Sequence, residues 1–140
     1  MTNEYITPIF LIDSNVILDI LLNRNDVHQE WSIATLLKCA QQGNLAINQI
    51  IYAEIAYAFA ELSELENALS DYLKLSLPWE ATFIASKAYA AYRRNGGKRH
   101  TLMPDFYIGA HALFAKLTLV TRDQGYGNYF SNLPIISPDW

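Results

Sequence analysis

Fourteen residues of the chain are acidic. Four of them stand where a carboxylate is costly unless something binds it. Asp13 ends the apolar run Ile9-Phe10-Leu11-Ile12 and is followed by Ser14-Asn15. Asp123 closes a second apolar run, Leu117 to Val120, after Thr121-Arg122. Glu54 sits inside "IIYAEIAYAFA", where almost every neighbour is apolar, and Asp105 opens "DFYIGAHALFA". Several acids gathered without a counter-charge repel one another. A hard divalent cation such as Mg2+ or Mn2+ resolves that repulsion, because it takes oxygen ligands, keeps several waters and needs few carboxylates. The chemistry of such a centre is hydrolysis of a phosphodiester. The ion lowers the pKa of a bound water and offsets charge on the phosphate. Water attack of this kind leaves a 3′-hydroxyl and a 5′-phosphate.

Each acid also has a plainer reading. Asp105 lies at a helix start, where an acid complements the helix dipole. Glu54 can be an edge or paired residue. Asp13 is needed least for structure, because Ser14 would serve as the cap of the helix that follows. Among the other acids, Glu61, Glu64, Glu66 and Asp71 read as solvated faces, and Asp26 and Glu30 flank a helix start. Asp19, one turn beyond Asn15, is expected to face solvent or an arginine.

The elements that must position these acids follow from the hydrophobic pattern. Residues 9–13, 45–47, 117–121 and 133–136 read as short buried strands. Residues 14–22, 28–42, 49–62, 64–74, 80–94 and 105–116 read as helices, with Pro104 able to sit in the first turn of the last. Strands alternating with helices imply a three-layer α/β/α domain around a central, mainly parallel sheet of four or five strands. In such sheets ligands sit at the carboxyl ends of the strands. Asp13 and Asp123 both lie at such ends, so the two can face one crevice.

The totals are consistent with this. A length of 140 residues fits one domain, 1–140, and 51% apolar residues suffice for a core. No run reaches the ~18 apolar residues of a membrane span. The start, "MTNEYITP", lacks the basic and apolar regions of a signal peptide. The single cysteine, Cys39, excludes an internal disulfide and fits a reducing compartment, so a cytoplasmic location is expected. The net charge of −4 argues against coating nucleic acid by bulk charge, and leaves a nuclease open.

In order along the chain, "LIDSNVILDIL", "INQIIYAEIAYAF", "PDFYIGAHAL" and "LTLVTRDQGYGNYF" resemble the motifs of PIN domains, most closely the VapC-type ribonuclease toxins of bacterial toxin–antitoxin pairs. The resemblance spans nearly the whole chain. It implies a PIN-like fold and a metal-dependent endoribonuclease acting on single-stranded or loop RNA. It makes Asp13, Glu54, Asp105 and Asp123 the acidic set around one or two Mg2+ or Mn2+ ions, with Asn15 and Thr121 as polar supports. It also implies a separate antitoxin protein and a homodimer. A PIN nuclease for RNA processing or decay is the enzyme alternative. A non-catalytic α/β module that binds a metal or a partner is the alternative from another class. A receiver-like domain would want an early acidic pair and a Lys at a later strand end, where this chain has Thr121-Arg122-Asp123.

The segment "RRNGGKRH", residues 93–100, is the most polar of the chain and leads into Asp105. Arg93, Arg94, Lys98 and Arg99 are candidate phosphate contacts, since Arg and Lys supply most of the affinity for a polyanion. His111 reads as a packed helix residue. Tyr126 and Tyr129, beside Asp123, are candidates to stack on a base. Tyr52, Tyr57, Tyr89 and Tyr92 read as core or interface, and the aromatic and alanine surface of helices 49–62 and 80–92 suggests a self-association face.

Overall fold

The computed structural model describes residues 7–140. The first six residues of the expected 1–140 domain lie outside the described residues. The central sheet has five strands, all parallel: β1 (Ile9–Ile12), β2 (Asn44–Ile47), β3 (Leu73–Lys74), β4 (Thr118–Val120) and β5 (Ile135–Ile136). Their spatial order is β3-β2-β1-β4-β5. Among the described residues six helices flank it: α1 (Ser14–Leu21), α2 (Val27–Gln42), α3 (Gln49–Ala56), α4 (Leu62–Ala68), α5 (Trp79–Arg94) and α6 (Pro104–Ala115). This is the expected three-layer α/β/α architecture. Leu11, Ile12, Ile47, Leu119 and Val120 of the inner strands are fully buried, as a parallel sheet covered on both faces requires.

The strand order fixes the site. From β1 the chain moves outward through β2 and β3, then returns to place β4 on the other side of β1, in register Phe10↔Thr118 and Ile12↔Val120. The order therefore reverses between β1 and β4, and the crevice at such a switch point is where a ligand sits. Asp13 follows β1, and Thr121 to Asp123 follow β4.

Two expectations need correction. The helix expected over 49–62 ends at Ala56, where i→i−3 bonds from Ala58 and Phe59 close it without a Gly or Pro to mark the end. The helix expected over 64–74 ends at Ala68, and Leu73–Lys74 forms edge strand β3 instead. Pairing with Ala46 and Ile47 gives that backbone partners that a helix would otherwise supply.

Candidate active site

Asp13 is itself the N-cap of α1: its Oδ1 accepts the Ser14 N–H at 2.8 Å. The expected division of labour is thus reversed. Ser14 is the first helical residue, and its hydroxyl is free to donate to Glu54 Oε1 at 2.9 Å. Glu54 comes from α3, whose start is fixed by Asn48, the side chain of which accepts the Ile51 N–H. Asn48 also donates to Nδ1 of His111 across to α6, at 3.0 Å. His111 is buried, and burial holds its pKa below the usual value, so it is a packed neutral residue as expected.

Thr121 ties the two strand-end acids together. Its hydroxyl donates to Asp13 Oδ2 at 2.7 Å and accepts the Asp123 N–H at 3.0 Å. Asn15 reaches both Asp13 and Thr121 at 3.4 Å, and its Oδ1 accepts the Arg122 N–H at 3.1 Å. Asp123 is exposed and its Oδ1 accepts the Gly125 N–H, which shapes the turn. Asp105, in the first turn of α6, is partly buried. The Tyr126 hydroxyl lies 3.3 Å from its Oδ1 and 3.0 Å from Asp13 Oδ2.

Tyr126 is therefore not the base-stacking residue expected. Its ring is buried and its hydroxyl bridges two acids. The Tyr126 carbonyl accepts the N–H of Phe130, which packs so closely on α6 that a Cβ at Gly109 would come within 2.5 Å of the Phe130 ring. The roles of Ser14, Tyr126 and Arg122 escaped sequence reasoning. Arg122 turns away from the acids to pair with Asp19, so of the two expectations for Asp19 the arginine holds and solvent does not: the side chain is fully buried.

Crowding of carboxylates shows in their protonation. Burial, then the charges of Asp13, Asp123 and Glu54, push Asp105 up to about 7. Asp13 is also raised, chiefly by burial, against the bonds from Thr121, Tyr126 and Ser14 that favour its charged form. Glu54 is raised by burial and by Asp13, with the Ser14 bond opposing. Burial and the charges of Asp13, Asp105 and Asp123 hold the Tyr126 phenol well above its ordinary range.

The basic segment is folded back on the end of α5. Arg93 donates to the Arg99 carbonyl at 2.9 Å and meets His100 Nδ1 at 3.0 Å. Tyr89 donates to the same carbonyl, and the Tyr92 hydroxyl accepts the Arg99 N–H. Gly97 lies against the Tyr92 ring, where a Cβ would clash. Arg93 thus holds the loop, while Arg94, Lys98 and Arg99 are exposed and none is paired with a carboxylate among the described residues.

A family model for the PIN domain matches residues 10–130. Among solved structures, VapBC2 from Rickettsia felis, bound to a DNA fragment from its promoter, has a TM-score of 0.73 at 19% identity, covering 94% of this chain and 99% of that one. VapBC-1 from nontypeable Haemophilus influenzae has 0.70 at 18%, covering 92% and 97%. A toxin–antitoxin complex from Klebsiella pneumoniae has 0.60 at 23%, covering 91% and 96%. At these identities the likeness is one of fold. No curated protein matches by sequence.

Proposed function

The chain belongs to the PIN-domain family, and from that premise we propose that it is a divalent-metal-dependent endoribonuclease, the toxin of a bacterial toxin–antitoxin pair. The observation that carries this reading is negative charge without a counter-charge. Asp13, Glu54, Asp105 and Asp123 come from separate elements to interact in one crevice, and none is ion-paired among the described residues.

The donor set suits Mg2+ or Mn2+. It is all oxygen. Oδ2 of Asp13 is taken by Thr121 and Tyr126, but Oδ1 accepts only the Ser14 N–H among the described residues and keeps a lone pair. Among the described residues no three Asp, Glu, His or Cys side chains are grouped tightly enough to hold one ion between them. The fit is therefore to an ion that takes one or two carboxylates directly and reaches the rest through water. When bound, such an ion supplies a more acidic water and neutralises charge on the phosphate. Asp13 and Asp123 would hold it, with Thr121, bonded to both, setting their separation. Ser14 aims Glu54. In the metal-free protein burial and the neighbouring carboxylates push Asp105 up to about 7, so it can hold a proton until the ion binds.

The likeness to toxin–antitoxin structures supports a separate antitoxin as partner. The exposed Arg94, Lys98 and Arg99 support a polyanionic substrate. No helix among the described residues is long and apolar enough to cross a membrane.

The test is cleavage of single-stranded and hairpin RNA by the purified protein with Mn2+ or with EDTA. Cleavage should need the ion. Asp13→Asn and Asp123→Asn should each reduce it by more than the ~10–100-fold typical of losing an outer-shell partner. Expression in a bacterial host should arrest growth, and Asp13→Asn should relieve the arrest. RNA cleavage that persists in EDTA and in both variants would sink this reading.

A further inference from the structure

Beside the acids lies a cavity of about 270 Å³. Its walls are Tyr92, Met103, Phe106 and Tyr129, and Asp105 and Gly125 stand on its acidic side. A larger cavity, about 320 Å³, lies near β2 and β3, but most of its polar side chains are engaged: Gln49 with the Leu77 N–H, and Tyr52 and Lys74 with Glu66. The aromatic cavity is different. It is contiguous with the acid crevice through Asp105 and through Gly125, whose N–H bonds Asp123.

Resting on the nuclease reading above, we propose that this cavity receives one unpaired nucleobase of the RNA, adjacent to the phosphate that the acids face. Three observations lead there. The first is size. The cavity holds the volume of about nine liquid waters at ~30 Å³ each, room for a single heterocycle and its hydration. The second is the walls. The planes of Tyr92, Phe106 and Tyr129 meet at 64°, 56° and 75°, so none of these three is stacked flat on another. Phe106 is buried and one face of Tyr92 is taken by the stacked Tyr89 ring, so the partly exposed Tyr129 supplies the ring surface for a planar ligand, and every base has a π-face that aromatic side chains accept. The third is connection to charge. Tyr92 lines the cavity and its hydroxyl holds the backbone of Arg99. A strand with its base in the cavity would run between the acids on one side and the segment held at Arg99 on the other.

Occupancy of the cavity requires an extruded base, which a duplex supplies only after unstacking. The cavity thus selects for single-stranded or looped RNA before any contact reads the sequence. Tyr129 is the residue on which this depends most: it is partly exposed, sits in the cavity wall, and its hydroxyl makes no hydrogen bond to another described residue.

Two arms test the proposal. In the first, isotope-labelled protein in EDTA is titrated with AMP, GMP, CMP and UMP, and with ribose 5-phosphate as the base-free control. At least one nucleotide should shift the NMR signals of Tyr92, Met103, Phe106 and Tyr129. Ribose 5-phosphate should not. Tyr129→Ala should weaken the nucleotide about ten-fold, within the range for loss of one base stack, and Tyr129→Phe should retain it. In the second arm, RNA oligonucleotides carry one abasic position at a time. Cleavage should drop sharply for a single position beside the cut bond, and Tyr129→Ala should show no further drop there. That position dependence separates a base of the RNA strand from a free nucleotide as the true occupant. Equal shifts by ribose 5-phosphate and the nucleotides, or no shifts at these four residues, overturn the proposal even if RNA is cleaved. Base-dependent shifts without RNA cleavage leave the receptor standing and remove the nuclease reading instead.

Discussion

Asp19 and Arg122 form a two-point ion pair beneath the turn that carries Asp123. Arg122 Nε lies 2.6 Å from Asp19 Oδ2, and Nη2 lies 3.0 Å from Oδ1. Ser32 donates to Oδ2 at 2.8 Å, and Arg24 stands 3.5 Å from Oδ1. Asp19 has no solvent exposure. The pair joins α1 to the segment after β4, and the Arg122 N–H is held separately by Asn15. Side chain and backbone of Arg122 are thus both anchored to the element that begins at Asp13. The spacing of Asp13 and Asp123 is fixed from below as well as through Thr121.

Breaking this pair should be expensive. Arg122→Gln leaves a buried carboxylate with Ser32 and the longer contact to the half-exposed Arg24. A loss of about 3 kcal/mol in urea unfolding is expected, at the low end for a broken buried pair. Arg122→Lys should recover only part, because an ammonium cannot make the two-point contact. Adding Asp19→Asn to Arg122→Gln should cost less than the sum of the two. Strict additivity would show that the two side chains are not coupled.

Stability should fall as pH rises. Asp105 keeps its proton to about 7 in the folded protein, against an ordinary 3.8. Between those values the folded state binds more protons than the unfolded state, so each step up in pH favours unfolding. Asp13 and Glu54 shift in the same direction. In EDTA the melting temperature should therefore drop from about pH 5 to about pH 8 and level off above. His111, with its pKa lowered by burial, acts oppositely below its ordinary 6.5. The difference between wild type and Asp105→Asn cancels that contribution. Asp105→Asn should raise the melting temperature at the higher pH and flatten the profile. Added Mn2+ should restore the unmodified protein there, because it binds the folded state. Identical profiles for the two proteins would mean that Asp105 is ionised throughout.

The sequence revealed most of the site's scaffold for a physical reason. A buried parallel strand is a short apolar run, and an acid at its end is conspicuous. Asp13 and Asp123 were thus legible, as was the crevice between their strands. Glu54 stood out because a carboxylate in an apolar helix has few innocent explanations. What was not legible depended on contacts distant in sequence. Nothing local shows that Ser14 meets Glu54, that the Tyr126 hydroxyl turns inward to Asp13 and Asp105, or that Arg122 turns away to a buried Asp19. Edge strand β3 was hidden similarly: two residues take their conformation from β2, and their own sequence continues a helical pattern. The Asp105 reading retains both halves, since a helix-start position and membership of the acid group are compatible.

Removal of the Tyr126 hydroxyl should weaken the ion more than it weakens the fold. That hydroxyl lies against Asp13 Oδ2 and favours the charged form of Asp13. Tyr126→Phe keeps the buried ring. We expect Mn2+ affinity to drop by ~10-fold or more, as for loss of an outer-shell partner, with little change in unfolding by urea. Calorimetric titration with Mn2+ checks this. An unchanged affinity would leave the phenol a packing residue only.

Salt dependence should separate the basic residues. Replacing Arg94, Lys98 and Arg99 by Ala should flatten the plot of log affinity against log salt for single-stranded RNA, by about 0.7 per lost phosphate contact. Mn2+ affinity should not change. Arg93→Ala should act differently, loosening the loop that Arg93 holds through the Arg99 carbonyl and so reducing affinity without a matching change in slope. Filter binding over a range of salt concentrations gives both quantities. An unaltered slope in the triple variant would return the loop to a solvated surface role.

The final expectation is self-association, and the structure changes the residues that should carry it. Tyr89 is unsuitable as a contact, because its hydroxyl holds Arg99 and its ring stacks on Tyr92 at 6.1 Å. Tyr89→Asp would damage the basic loop instead. Tyr57 remains 75% exposed, and Trp79 and Phe83, four residues apart on α5, are 87% and 65% exposed. Residues so spaced share a helix face. Isolated exposed apolar groups need no explanation, but two large aromatic rings on one helix face offer a surface for contact. We expect a second copy of the chain to cover it. Such a contact is apolar, so it should survive moderate salt, which screens exposed charges and not apolar burial. Trp79→Ser with Phe83→Ser should shift the protein to monomer while Mn2+ affinity stays unchanged. Sedimentation over a range of concentrations reads the mass directly. If the unmodified protein is monomeric throughout, the surface is left for a different partner, and the same double variant should then be tested for loss of antitoxin binding.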